Sequence, residues 1–236
     1  MSRRNQRKKI VLVYVEGPSD ETALIRVFES LMDTREVHIE ITFGDLTSDK
    51  MVNAQNIVKT LGDSVRSYLD GYSLKPDDIR KVVYILDTDG TYCNQSCIQE
   101  NPALKEFQYT ETSICAHSIQ AVLDRNERKA KNMDRLAGME FLKIKKTRIP
   151  FEAYYMSCNL DHVIQDRLNL TDDEKEAGAY EFAAHCEDNK EYCESFFSNP
   201  AIAVMGSQTE TWNFIRDENH SLERHTNLMN CFRDGV

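Results

Sequence analysis

Ile10–Val15 is a run of apolar, largely β-branched residues, a pattern that predicts a strand buried on both faces. The run ends on Glu16 and breaks at Gly17-Pro18. Ser19 is read as the N-cap of a helix with Asp20 and Glu21 in its first turn. Leu24, Val27, Phe28 and Leu31 carry that helix over about 21–32 on one apolar face. Val37–Phe43 alternates apolar and polar and predicts a second strand. A polar link, Gly44–Asp49, leads to a helix over about 51–69 with Val52, Ile57, Leu61, Val65 and Leu69 inward. Lys81–Leu86 predicts a third buried strand, ending on Asp87-Thr88-Asp89-Gly90. The order β-α-β-α-β predicts an α/β fold with a mostly parallel sheet and helices on both faces.

The middle has weaker periodicity. Thr91–Phe107 reads as a loop with short helical pieces, and Ser113–Leu123 and Asn126–Met139 as helices. Phe151–Met156 predicts a fourth parallel strand, giving a sheet domain over 10–168 with a helical, basic insertion at about 91–148. Asn159 or Ser157 would cap a helix over 160–168. Thr171 caps an acidic helix expected to run to Phe197, and Thr209–Arg216 is a further helix. With no strand pattern beyond about residue 170, residues 169–236 read as a helical C-terminal extension, either packed on the sheet domain or continuous with it.

Charge refines this picture. The 236 residues carry a net charge of −10, which argues against nucleic-acid binding through a uniform basic field. Positive charge is instead local. Residues 1–9 form a basic arm, and Arg125, Arg128, Lys129, Lys131 and Arg135 fall close together, a pattern that suits a phosphate-facing surface. Lys143–Arg148 adds more. Seven cysteines suit a reducing compartment. Cys93, Cys97, Cys115 and His117 lack the spacing of strong zinc motifs. No apolar run is long enough to span a membrane. A cytoplasmic location is expected.

The candidate chemistry lies in acids at strand ends. Glu16 follows the first strand, and Asp87 and Asp89 follow the third. Carboxyl ends of parallel strands share one edge, so these three acids, with Asp20 a helical turn away, would repel one another without a cation. A hard divalent ion, Mg2+ or Mn2+, is the usual relief.

Glu16-Gly17-Pro18-Ser19-Asp20 followed by Asp87-Thr88-Asp89 resembles the paired motifs of the Toprim superfamily, most closely its OLD-type and stand-alone nucleases of phage defence. The resemblance covers residues 10–90, and reaches about 160 if Phe151–Met156 is the fourth strand. It implies a Toprim-like four-stranded sheet and a Mg2+- or Mn2+-dependent nuclease acting on DNA or RNA. Glu16, Asp87 and Asp89 would hold metal, with Glu16 a general acid/base. Asp20 matches a further acid of the OLD type. Asn159-Leu160-Asp161 loosely resembles that group's acidic helix start, which makes Asp161 a metal candidate. Lys146, or another residue of the basic run 143–148, would neutralise the scissile phosphate. The chain has no GxxxxGK[ST] loop, so the kinship implies a separate ATPase as partner in an antiphage system, and it admits an oligomer. His162, beside Asp161, is a further candidate at this edge.

Two other readings compete. Asp87-Thr88-Asp89-Gly90-Thr91 also resembles motif I of haloacid-dehalogenase-type phosphatases, with Asp87 as nucleophile. Gly44–Asp49 (GDLTSD) also fits that group's GDxxxD metal motif, but the reading requires a permuted order and leaves Glu16–Asp20 without a role. A non-catalytic metal-binding regulatory subunit is the other, with the acidic segment Asp172–Glu194 as a docking surface.

Overall fold

The computed structural model describes residues 8–233. In chain order the strands are β1 (Lys9–Val15), β2 (Val37–Phe43), β3 (Ile79–Asp87), β4 (Ile98–Glu100), β5 (Gln108–Thr110), β6 (Ser113–Ala116), β7 (Phe141–Ile144) and β8 (Thr147–Met156). The helices are α1 (Pro18–Leu31), α2 (Ile57–Gly71), α3 (Ile119–Ala137), α4 (Leu160–Gln165), α5 (Asp172–Cys186), α6 (Lys190–Phe197) and α7 (Gln208–Arg216). The main sheet has five strands in the order β2-β1-β3-β8-β7. Its first four are parallel, and β7 runs antiparallel to β8. The protein is therefore α/β with a mixed five-stranded sheet.

The period-2 alternation of the strands divides two cores. Val11, Val13, Val15, Val83, Ile85 and Met156 face α1, α5 and α6. Leu12, Tyr14, Val82, Tyr84, Leu86 and Tyr155 face α2, α3 and Trp212 of α7. Residues beyond 169 thus cover both faces of the sheet and are continuous with it. Trp212 Nε1 even donates to Ala153 O of β8, at 3.2 Å.

Several boundaries differ from the sequence pattern. The sheet has five strands rather than four because FLKI and the segment from Thr147 form a hairpin across Lys145-Lys146, with Lys145 at φ +55°. Gly17, not Ser19, is the N-cap of α1, and Pro18 takes the first helical turn, where its missing N–H costs nothing. Helix α2 starts at Ile57 because Asn53 and Asn56 hold the preceding turn through their side chains. Ser113–Ala116 is a strand; the helix begins only after Ser118, whose Oγ accepts from Ala121 N. It then continues unbroken to Ala137. The segment after Thr110 therefore closes a small second sheet, ordered β4-β6-β5. The acidic helix from Thr171 is two helices: Asp188 takes φ +52° and Asn189 caps α6. Most of the basic arm, residues 1–7, lies outside the described residues. Among the described residues, no helix is long and apolar enough to cross a membrane.

Candidate acidic site at the carboxyl edge of the sheet

Strands β1 and β3 are neighbours with Tyr14 opposite Tyr84, so both release their acids at the same edge. Strand β8 ends beside β3, with Met156 opposite Asp87, and leads directly into α4. These elements surround a cleft of about 580 Å3 lined by Glu16, Asp20, Asp45, Asp87, Asp89 and Asp161. Lys175 of α5 lines it from the far side.

Glu16 is held at both oxygens. Thr47 Oγ1 donates to Oε1 at 2.7 Å, and Lys129 Nζ lies 3.2 Å from Oε2. The Lys129 ammonium also bonds Asp89 Oδ2, and its side chain has no exposed surface. Arg125 Nη1 lies 3.5 Å from the same Asp89 oxygen, while Nη2 donates to Asp89 O at 3.0 Å. Asp87 Oδ1 accepts from Leu160 N, the first residue of α4, at 3.0 Å. Asp20 sits in the first turn of α1 and accepts from Gly17 N at 2.8 Å. Asp161 Oδ1 accepts from Gln165 Nε2 at 3.3 Å, and Lys175 Nζ lies 3.8 Å from Oδ2.

The turn after β3 is shaped by the C-terminal segment. Thr88 Oγ1 donates to Ser221 O at 2.7 Å and Gly90 N to the same carbonyl at 3.0 Å. Asp89 N donates to Cys158 O at 2.7 Å. Asp89 and Gly90 both have positive φ, +49° and +64°. A Cβ on Gly90 would lie 2.4 Å from Leu222 Cδ2, so glycine is required there for space as well as for conformation. Gly17 carries no such requirement. Its φ of −135° is extended, and a Cβ would meet nothing nearer than 3.6 Å.

Burial and mutual repulsion set the protonation of the cleft. Burial raises Glu16 to about 8, with Lys129 opposing and Asp45 and Asp89 adding repulsion. Burial likewise raises Asp20 to about 6, against the Gly17 N–H and with repulsion from Asp161. Asp87 is held well above the carboxylate range by burial, then by Asp20, Glu16 and Asp89. Asp89 goes the other way. Burial pushes it up, but Lys129 and Arg125 together outweigh that and keep it ionised. Lys129 itself is held charged, because Asp89 and Glu16 more than offset its burial.

A cleft in which carboxylates from several elements converge, with burial the chief cause of the raised pKa of Glu16, Asp20 and Asp87, fits a hard divalent cation. Glu16, Asp87 and Asp89 could hold it, with Asp20 and Asp161 beside them.

Of the residues singled out in the sequence, Glu16, Asp20, Asp87, Asp89 and Asp161 are brought together. Lys146 is not. It lies in the β7–β8 turn, and β8 runs parallel to β3, so Lys146 sits at the amino edge, roughly 33 Å along β8 from its far end. The neighbouring Thr147 Oγ1 bonds Asp77, just before β3. The cation beside the acids is Lys129 instead. Its helix-mate Arg125 also turns inward, which leaves Lys131 and Arg135 as the fully exposed members of that basic group. Asp45 and Thr47, from the link after β2, also belong to the site; only Asp45 lay in a motif, the phosphatase-like Gly44–Asp49.

His162 does not line the cleft. Its ring meets Glu111 and Asp166, and one ligand atom from each of the three lies within 4.8 Å of the others, a grouping able to hold a metal ion. Set against protein-family models, curated proteins and solved structures, the chain gives no match in any of the three comparisons.

Proposed function

We propose that the protein is a Toprim-type nuclease that hydrolyses phosphodiester bonds of DNA or RNA with Mg2+ or Mn2+. The carrying observation is that Glu16, Asp87, Asp89 and Asp161, from separate elements, line one cleft at the carboxyl edge of a parallel sheet, with Lys129 buried against two of them. That edge is where open α/β sheets place ligands.

When bound, the cation would supply Lewis-acid activation and charge stabilisation at phosphate. The chain's own residues divide the remaining work. Glu16, held at both oxygens by Thr47 and Lys129, is placed to serve as general acid/base beside the cation. Lys129 and Arg125 keep Asp89 ionised and add fixed positive charge beside the reacting phosphate. Leu160 N orients Asp87, and the Ser221 carbonyl fixes the turn that presents Asp89.

The phosphatase reading fits less well. It needs the second acid of the motif to carry and deliver a proton, and Asp89 is the one acid whose neighbours hold it ionised.

The deciding experiment is cleavage of plasmid, single-stranded DNA and tRNA in Mg2+ or Mn2+ by wild type, Asp87→Ala and Glu16→Gln. Metal-dependent cutting lost in both variants supports the proposal. Equal cutting by all three proteins rejects this site.

A further inference from the structure

A second, chemically different cluster lies where α4 meets the small sheet. His162 is 2% exposed, and its Nδ1 is buried without a hydrogen-bond partner. Its Nε2 lies 3.8 Å from Glu111 Oε1, too far for a hydrogen bond. Glu111 stands in the turn between β5 and β6, and Asp166 is the left-handed C-cap of α4, at φ +57°. Both carboxylates are exposed, with Asp166 tied at one oxygen by Arg224; the imidazole is fixed by burial.

Four-coordinate Zn2+ with bonds of 2.0–2.2 Å places its ligand atoms about 3.4 Å apart. The observed separations, all within 4.8 Å, need only a small inward movement of the two exposed acids. The donor set also discriminates. Imidazole favours zinc and related transition ions, whereas Mg2+ and Ca2+ prefer sites built from oxygen alone.

The surroundings resemble the supporting layer of a metal site. Arg224 Nη1 lies 3.2 Å from Asp166 Oδ2, and its Nε and Nη2 donate to Val163 O at 2.9 and 2.8 Å. That fixes the orientation of Asp166 while leaving its other oxygen available. The same two segments are already joined nearby: Tyr109 N donates to Asn169 Oδ1 at 2.7 Å, and Asn169 Nδ2 to Tyr109 O at 2.8 Å. The Glu111 turn is therefore held close to α4 before any ion arrives.

We propose that Glu111, His162 and Asp166 form a second metal site, selective for a transition-metal dication such as Zn2+ over Mg2+, which staples the β5–β6 turn to α4. It does not depend on the reading of the acidic cleft. Its three protein ligands leave the fourth position of the ion to water, and the helix it ties down, α4, gives its first N–H, from Leu160, to Asp87.

Calorimetric titration of the full chain with Zn2+, in millimolar Mg2+, tests this. Losing even an outer-layer partner typically weakens a metal about 10- to 100-fold, so Glu111→Gln and Asp166→Asn should each weaken one Zn2+ site by at least about tenfold. Both positions are exposed, so the fold should survive the changes, and far-ultraviolet circular dichroism checks that it does. His162→Gln should do the same, and Asp87→Ala should leave this site intact. No Zn2+ binding by wild type, or the same number and affinity of sites in Glu111→Gln and Asp166→Asn, overturns the proposal.

Discussion

Lys129 Nζ lies 3.2 Å from Glu16 Oε2, joining a helix of the insertion to the end of the first strand, and the same ammonium bonds Asp89. A fully buried cation thus sits among the acids of the cleft. Removing one partner of a buried ion pair typically costs about 3–5 kcal/mol, because the other charge is left unpaired. Lys129→Met should therefore lose about 3 kcal/mol at neutral pH, read from urea unfolding. The sign of the pH dependence follows from Asp89. Its lowered folded pKa gives stability that is present above the unfolded value, about 3.9, and lost as pH falls through the folded value. The gap between wild type and Lys129→Met should narrow below about pH 4. A gap that widened there would contradict the pairing.

Arg125 and Lys146 distinguish the cations that stand beside the acids from the one expected in the basic run 143–148. Arg125 touches Asp89 twice, through its side chain and its carbonyl. Removing one charge-stabilising donor from an active site commonly costs about 10^2–10^3 in rate. Arg125→Ala should lower the metal-dependent cleavage rate by about 10^2, and Lys146→Ala should leave it within about twofold. Steady-state rates on the best of the three nucleic acids check both.

Much of this site was readable from the pattern of strands. Glu16, Asp87 and Asp89 were legible because each ends a run that could only be a buried strand, and parallel strands share an edge. Lys129 was legible in principle. Val122, Asn126, Lys129, Met133 and Leu136 recur at spacings of three and four and form the buried face of α3. A lysine on a buried helical stripe calls for a partner, and counting it with its exposed neighbours hid that. Strand direction argued against Lys146, since a residue just before a parallel strand lies at the opposite edge from the acids. Asp45 was marked only through the phosphatase-like stretch Gly44–Asp49, and Thr47 not at all. They reach Glu16 only because β2 lies beside β1, a tertiary fact that local pattern does not contain. The break between α5 and α6 was hidden for a different reason: both helices carry acids and aromatics throughout, so only the cap at Asn189 marks the boundary.

Gly90 should be the least replaceable glycine near the cleft. Alanine there would adopt the left-handed region at φ +64° and push into Leu222 Cδ2 at 2.4 Å and Ile114 Cδ1 at 2.9 Å. Left-handed backbone costs a non-glycine residue about 1–2 kcal/mol, and overpacking a core adds about 1–3. Gly90→Ala should lose about 2–5 kcal/mol in urea unfolding. It should also weaken Mn2+ binding, because the turn carrying Asp89 must shift. Gly17→Ala, at an extended φ with no contact inside 3.6 Å, should cost much less in stability.

The protons held in the cleft link stability, pH and metal. Glu16 rises to about 8 and Asp20 to about 6, chiefly through burial, and Asp87 moves the same way. An acid whose pKa is higher folded than unfolded keeps its proton in the native state while the unfolded chain gives it up. Stability therefore falls as pH rises from the ordinary carboxylate range toward the folded value. In chelator, the melting temperature should drop between about pH 5 and pH 8, the interval set by these shifts. A divalent cation replaces those protons, so Mg2+ or Mn2+ should bind more tightly as pH rises and release protons as it does. The metal-induced rise in melting temperature should then be smallest near pH 5 and largest near pH 8. Glu16→Gln removes one of these proton-holding acids, so it should flatten both curves, and calorimetry in two buffers of different ionisation enthalpy should show fewer protons released per ion. A metal effect independent of pH in wild type would mean that the cation does not displace protons from these acids.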